Sequence, residues 1–220
     1  MFNINLATII SRVIILVIAF SIHEFAHAWT ADRFGDSTPR INGRLTLNPL
    51  SHLDPIGSLM LIFVGFGWAK PVPVNPYTLR QRSRSALMWV SLAGPLSNFI
   101  LAVLAALPFQ LNWFTLNDLY NAFNASGTAI FPTPVAFAFD FITINLVLGL
   151  FNLIPLPPLD GDKIAAFFLP DSWNRSLDKI RPYGSLILVM LFMVGPSLGV
   201  DVLGWMIRKP LGFLVGLLIG

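Results

Sequence analysis

Apolar residues along this chain come in long runs separated by short polar stretches. The first run extends from about Leu6 to Ala31, with Arg12 near its start. The second covers Ala86 to about Phe109, the third about Pro134 to Leu156, and the fourth Tyr183 to about Val200. A bilayer crossing needs about 20 mostly apolar residues, so the first three predict transmembrane helices, and the fourth predicts one weakened by Gly195-Pro196. The tail from Val202 to Gly220 is apolar but interrupted by Arg208-Lys209-Pro210, and reads as a fifth span or an interfacial helix. Between the first two runs lies Ile56–Ala69, only 14 residues long and broken by Gly57, Gly65 and Gly67, which suits a re-entrant or buried segment. Lys70-Pro71-Val72-Pro73-Val74-Asn75-Pro76 cannot be helix. Its alternating prolines fit an extended edge strand, with Val72 and Val74 keeping the donors on the other edge.

Composition turns this pattern into a class. Of 220 residues, 55% are hydrophobic and only 11% charged, where a soluble domain carries about 25% charged residues. The expectation is an all-α multi-pass membrane protein of four or five transmembrane helices, forming one domain over 1–220. With no cysteine, disulfides, thiolate metal sites and cysteine nucleophiles are excluded. The net charge of +3 does not point to nucleic acid, because the basic residues cluster in loops. Those between the first and second crossings, and between the third and fourth, hold Arg33, Arg40, Arg44, Lys70, Arg80, Arg82, Arg84, Lys163, Arg175, Lys179 and Arg181; the loop between the second and third holds none. The positive-inside rule then puts both charged loops in the cytoplasm and the N-terminus outside, in what we expect to be the cell membrane of a prokaryote. The N-terminus lacks the basic cluster and cleavage site of a signal peptide.

Candidate chemistry lies within the first apolar run. His23-Glu24-Phe25-Ala26-His27 is an H-E-x-x-H pattern, and Glu24 is the only glutamate in the chain. Histidines at i and i+4 project from one helix face, as two ligands of a zinc ion would, and the intervening glutamate can reach a water there as general base. Ionisable side chains within a membrane helix mark function by default, since hydrocarbon does not hydrate them. A third ligand should be an oxygen or nitrogen donor at the same depth. Asp160, after the stiff turn Pro155-Leu156-Pro157-Pro158, is the best candidate; Asp162, Asp54 and His52 are alternatives.

Three ordered motifs carry a family resemblance: His23-Glu24-x-x-His27, Gly94-Pro95-Leu96-Ser97-Asn98, and Asn152 through Pro155, Pro157 and Leu159-Asp160-Gly161. Together they resemble the site-2 protease family of intramembrane zinc metalloproteases, over nearly the whole chain. The resemblance implies one zinc per chain held by His23, His27 and Asp160, Glu24 as general base, and Asn152 holding substrate or stabilising the oxyanion. It also implies a transmembrane protein substrate within the lipid bilayer; the positive-inside orientation is what sets the H-E-x-x-H motif and Asp160 toward the cytoplasmic side. The expected chain length leaves no room for an appended PDZ domain.

Gly94 and Asn98, one turn apart, suit close helix packing with a polar contact. His52 reads as a loop residue, a substrate contact or an extra metal ligand. Val72 and Val74 are candidates for pairing with an unwound substrate by β-augmentation. The competing readings are a divalent-metal transporter or sensor, and a non-catalytic membrane scaffold of the same fold.

Overall fold

The computed structural model describes residues 6–55, 57, 68–124, 130–199 and 201–220. In chain order the helices are α1 (Leu6–Arg33), α2 (Thr38–Ile41), α3 (Pro76–Arg82), α4 (Ala86–Gln110), α5 (Leu116–Asn124), α6 (Pro134–Asn152), α7 (Asp160–Phe168), α8 (Asp171–Ile180), α9 (Gly184–Met193) and α10 (Val202–Ile219). Four of them, α1, α4, α6 and α10, are long and apolar enough to cross a membrane.

A repeat of four residues explains how α1 and α4 pack. Ala7, Ser11, Ile15, Ala19, His23, His27 and Ala31 form one buried stripe on α1, while Ile9, Val13, Ile14 and Ile18 on other faces stay exposed. On α4 the matching stripe is Ala86, Val90, Gly94, Asn98, Ala102 and Ala106. Small side chains at this spacing let two helices approach closely where lipid offers no hydrophobic drive for association. The two helices run antiparallel, since Ala31 near the end of α1 packs with Ala86 and Val90 at the start of α4. The α6 helix returns along α4, and Ser11 on α1 donates to Asp140 on α6 at 3.2 Å. Away from the bundle, Thr115 and Asp118 exchange hydrogen bonds across the first turn of α5, which holds the Asp118 carboxyl below its ordinary range.

The fourth apolar run, from Tyr183, does not give a helix of membrane length. Helix α9 has only ten residues, and Leu188 on it packs with Ile154, Leu159 and Leu203, so α9 and the start of α10 sit at the same end of the bundle. The fourth helix of membrane length is α10, with Leu211, Leu214, Val215, Leu218 and Ile219 against the α4–α6 core. Arg208 lies early in that helix and bonds Asp201 just before it, so its charge stays near the polar end.

The expected re-entrant run Ile56–Ala69 lies outside the described residues except for Gly57, Trp68 and Ala69. Among the described residues there is no β-strand, only one isolated antiparallel bridge between Leu53 and Ala69. The segment Lys70–Asn75 therefore does not form the expected edge strand. Proline at 71 and 73 removes alternate donors, and side chains take up two of the N–H groups that remain: Val72 donates to Glu24 and Asn75 to Asp36.

A candidate metal centre at the α1–α4–α7 junction

His23 and His27 point from α1 into the bundle, one turn apart, with their rings at 85° and their centroids 4.6 Å apart. Asp160, the first residue of α7, meets them. The two Nε2 atoms are 3.0 Å apart, and Asp160 Oδ2 lies 3.2 Å from that of His23 and 3.1 Å from that of His27. All three residues are buried or nearly so.

Sequence details on three elements make this convergence possible. A Cβ on Gly94 would lie 2.4 Å from His27 Nε2 and 2.6 Å from His23 Nε2, so only glycine leaves α4 space for the imidazoles. The turn after α6 delivers Asp160, and Gly161 lets it close tightly: a Cβ there would lie 2.2 Å from the Ile154 carbonyl oxygen. Leu153 caps α6 at its C-terminus, so the chain reverses within a few residues.

The donor set fits a zinc ion on chemical grounds. His23 Nδ1 faces the Asn98 side-chain oxygen at 2.6 Å, and His27 Nδ1 faces the Val90 carbonyl at 2.7 Å. Both partners are acceptors, so each Nδ1 carries the proton and each Nε2 presents a lone pair to the centre. Two lone pairs and a carboxylate oxygen turned toward one another repel unless a cation lies between them. Their spacing is close to the edge of a tetrahedron with zinc–ligand bonds of about 2.0–2.1 Å, roughly 3.3 Å. These three residues are also the group among the described residues whose possible ligand atoms all lie within 4.8 Å of one another.

Behind the ligands runs a polar relay. Asn98 Oδ1 accepts the hydrogen bond from His23 Nδ1, Asn98 Nδ2 donates to Asn145 Oδ1 at 3.0 Å, and Asn145 donates to the Phe141 carbonyl at 2.9 Å. Asn98 and Asn145 are fully buried. The sequence reading gave Asn98 a packing or polar role and missed Asn145. The available signal was a polar side chain within a mostly apolar helix, seven residues before Asn152.

The other expected site residues are placed as follows. Glu24 is buried beside His23, and its Oε2 accepts the Val72 N–H at 3.1 Å. Asn152, at the end of α6, donates back to the Leu148 carbonyl at 3.0 Å, and among the described residues its side chain has no hydrogen bond to the three ligands. His52 is fully buried away from them; its Nε2 bonds the Thr46 carbonyl at 2.7 Å, and its Nδ1 has no partner among the described residues. The remaining alternative ligands are engaged elsewhere, Asp54 with the Gly57 N–H at 2.8 Å and Asp162 with Arg181 at 2.8 Å. Val72 and Val74 are partly buried, and Val74 packs beside Ala31, Leu79, Ala86 and Val90.

The sequence reading did not anticipate Arg44. Its guanidinium is buried yet faces no carboxylate among the described residues. It donates to the carbonyls of Ser51, Lys70 and Pro71, the last two at 3.3 Å. By holding residues 70 and 71 it fixes the backbone that presents the Val72 N–H to Glu24.

Comparison with known proteins identifies a family. A family profile described as Peptidase family M50 matches residues 11–195. The chain is 42% identical over 182 residues to the Bacillus subtilis protein named "Putative zinc metalloprotease YwhC", covering 82% of this chain and 79% of that one. It is 38% identical over 199 residues to "Putative zinc metalloprotease Rip2" of Mycolicibacterium smegmatis, covering 84% and 69%. No solved structure matches.

Proposed function

The chain belongs to peptidase family M50, the site-2 protease family of zinc metalloproteases, and on that premise we propose that it is an endopeptidase cutting peptide bonds in or near the transmembrane segments of other membrane proteins. The observation that carries the reading is the meeting of His23, His27 and Asp160 inside a bundle of membrane-length helices, with Glu24 beside them. We read the whole chain, 1–220, as one such domain, with its N-terminus outside and its site toward the cytoplasm.

In this reading His23, His27 and Asp160 hold one zinc ion. When bound, zinc supplies Lewis acidity, polarising a carbonyl and making a water easier to deprotonate. Glu24 takes the water proton as the water oxygen adds to the scissile carbonyl carbon, and returns it to the leaving nitrogen as the C–N bond breaks. The Val72 N–H keeps the carboxylate of Glu24 oriented during both transfers. Asn152 assists through its amide donor, which must turn from the Leu148 carbonyl toward the substrate to stabilise the developing oxyanion.

A helical peptide bond is not open to attack, so the substrate has to be held extended. The Lys70–Asn75 segment suits this, although the Val72 N–H already bonds Glu24. Pairing with substrate then falls to the N–H of Val74 and to the carbonyls of Val72 and Val74.

The test uses purified protein in detergent with a panel of transmembrane peptides, with and without a zinc chelator. Cleavage that disappears with chelator and returns on adding zinc is expected. Zinc-loaded protein that cuts none of the panel, while moving divalent metal across vesicles, would instead identify a transporter. Glu24→Gln should keep its zinc and lose cleavage by roughly 10²–10⁴-fold, the usual contribution of a general base.

A further inference from the structure

At the end of the bundle where α4 begins lies a cleft of about 350 Å³, between α4 and the α7–α8 pair, and the proposed protease reading gives it no role. Five cations line it (Arg80, Arg84, Lys163, Arg175 and Arg181) against two carboxylates, Asp171 and Asp178. Two of the cations are already engaged. Arg181 pairs with Asp162 and Asp178, and Lys163 lies 3.7 Å from Asp160. Arg80, Arg84 and Arg175 have no carboxylate partner among the described residues, and all three are exposed. Arg84 does lie over the Phe167 ring, 6.0 Å from its centroid. Guanidiniums gathered in a concavity repel one another and raise the local concentration of anions. Their planar forks match phosphate oxygens in particular.

Two further features point to a lipid as the source of that phosphate. Arg84 immediately precedes the membrane-length helix α4 and Arg80 lies on the short helix α3 just before it, the level at which headgroups lie. The segment forming the other wall also exposes Phe168, Trp173 and Tyr183, large aromatic side chains that suit the membrane–water interface. The cleft floor includes Leu87, Met88 and Phe167, apolar groups that a free inorganic anion would not use.

We propose that this cleft binds the phosphate of an anionic phospholipid headgroup. A zwitterionic headgroup is disfavoured, because its own cation would face the uncompensated arginines.

The experiment places the full-length protein in nanodiscs of equal parts phosphatidylglycerol and phosphatidylcholine and counts retained lipids by native mass spectrometry. Wild type should retain phosphatidylglycerol selectively. Replacing Arg84→Gln and Arg175→Gln together should weaken that retention by roughly tenfold or more, since each cation near an anionic surface contributes substantially. The single variants should give smaller losses in the same direction, with helical circular dichroism reporting the fold. Arg33→Gln removes a cation at the same end of the bundle but outside the cleft, and should leave retention unchanged. Equal retention by wild type and the double variant, or an equal loss in Arg33→Gln, overturns the site. In nanodiscs of phosphatidylcholine alone, saturable binding of inorganic phosphate or glycerol 3-phosphate that matches the lipid in strength overturns the lipid assignment. Because none of these readings uses cleavage, they stand or fall separately from the protease assignment.

Discussion

Two buried polar clusters among the described residues are constructed differently. In the helical bundle, His23, His27 and Asp160 meet through side-chain atoms, and the support behind His23 is also side chain, Asn98 and then Asn145. In the loops between α1 and α3, Asp36, Arg44 and His52 are equally buried but bind only backbone. Asp36 accepts the N–H groups of Thr38 and Asn75, Arg44 donates to three carbonyls, and His52 bonds the Thr46 carbonyl. The first cluster leaves three donor atoms facing inward, which suits a metal. The second leaves none converging and ties chain segments together instead. Burial of ionisable groups therefore does not by itself identify a metal site; the direction of the unused lone pairs does.

That contrast is tested most severely by removing a ligand. Asp160→Ala should reduce zinc from about one per chain to near zero by atomic emission, because two imidazoles alone make an incomplete site. Retention of stoichiometric zinc would break the comparison at its root. Next comes Gly94→Ala, whose added methyl has no room beside the two Nε2 atoms. Either α4 or the imidazoles must shift, so zinc affinity should fall by more than about 100-fold, beyond the range seen for second-layer losses. Gly149→Ala is the matched control, since its Cβ would meet the Phe99 ring at 2.9 Å rather than the metal ligands. It should lower thermal stability while leaving zinc bound.

A milder change separates orienting from ligating. Asn98→Ala removes the acceptor that fixes the His23 tautomer and strands the Asn145 oxygen in a buried position. Outer-layer losses of this kind cost about 10–100-fold in metal affinity. A zinc titration by competition with a chromophoric chelator should find a value in that interval, with wild-type stoichiometry at saturating zinc.

How much of this was legible in the sequence depends on what each residue binds. The α1–α4–α6 bundle followed from three apolar runs, and His23, His27 and Asp160 from side-chain chemistry at a shared depth. Asn145 escaped because an amide in a membrane-length helix has no spacing rule to flag it. Arg44 escaped because its partners are carbonyls, which every residue possesses, so no residue pattern marks them. The sequence leaves 202–220 open between a fifth span and an interfacial helix for a physical reason: hydropathy penalises Arg208 and Lys209 without registering that Asp201 pairs with Arg208 at the polar end of α10. Conversely, the run over 183–200 was apolar enough to cross, but Gly195-Pro196 ends α9 after ten residues. Proline spacing in Lys70–Pro76 correctly excluded helix up to Asn75, although Pro76 itself opens α3, and it gave no sign that the Val72 N–H would go to Glu24 rather than to a neighbouring strand.

The smallest expected effect sharpens the comparison furthest, because it concerns a histidine. His52 has the residue type of a ligand and is fully buried, yet its Nε2 is committed to the Thr46 carbonyl at 2.7 Å. Its backbone carbonyl also accepts the Lys70 N–H at 2.8 Å, so the residue joins the loop before it to the segment that carries Val72. His52→Ala keeps that backbone bond and removes only the ring, leaving the Thr46 carbonyl without its donor. An unmade buried hydrogen bond of this kind costs about 1–3 kcal/mol, so thermal unfolding should begin a few degrees lower. Zinc should remain at one per chain with wild-type affinity. A fall in zinc occupancy at full folding would move His52 from the loop cluster into the metal site, and the distinction between the two polar clusters would fail with it.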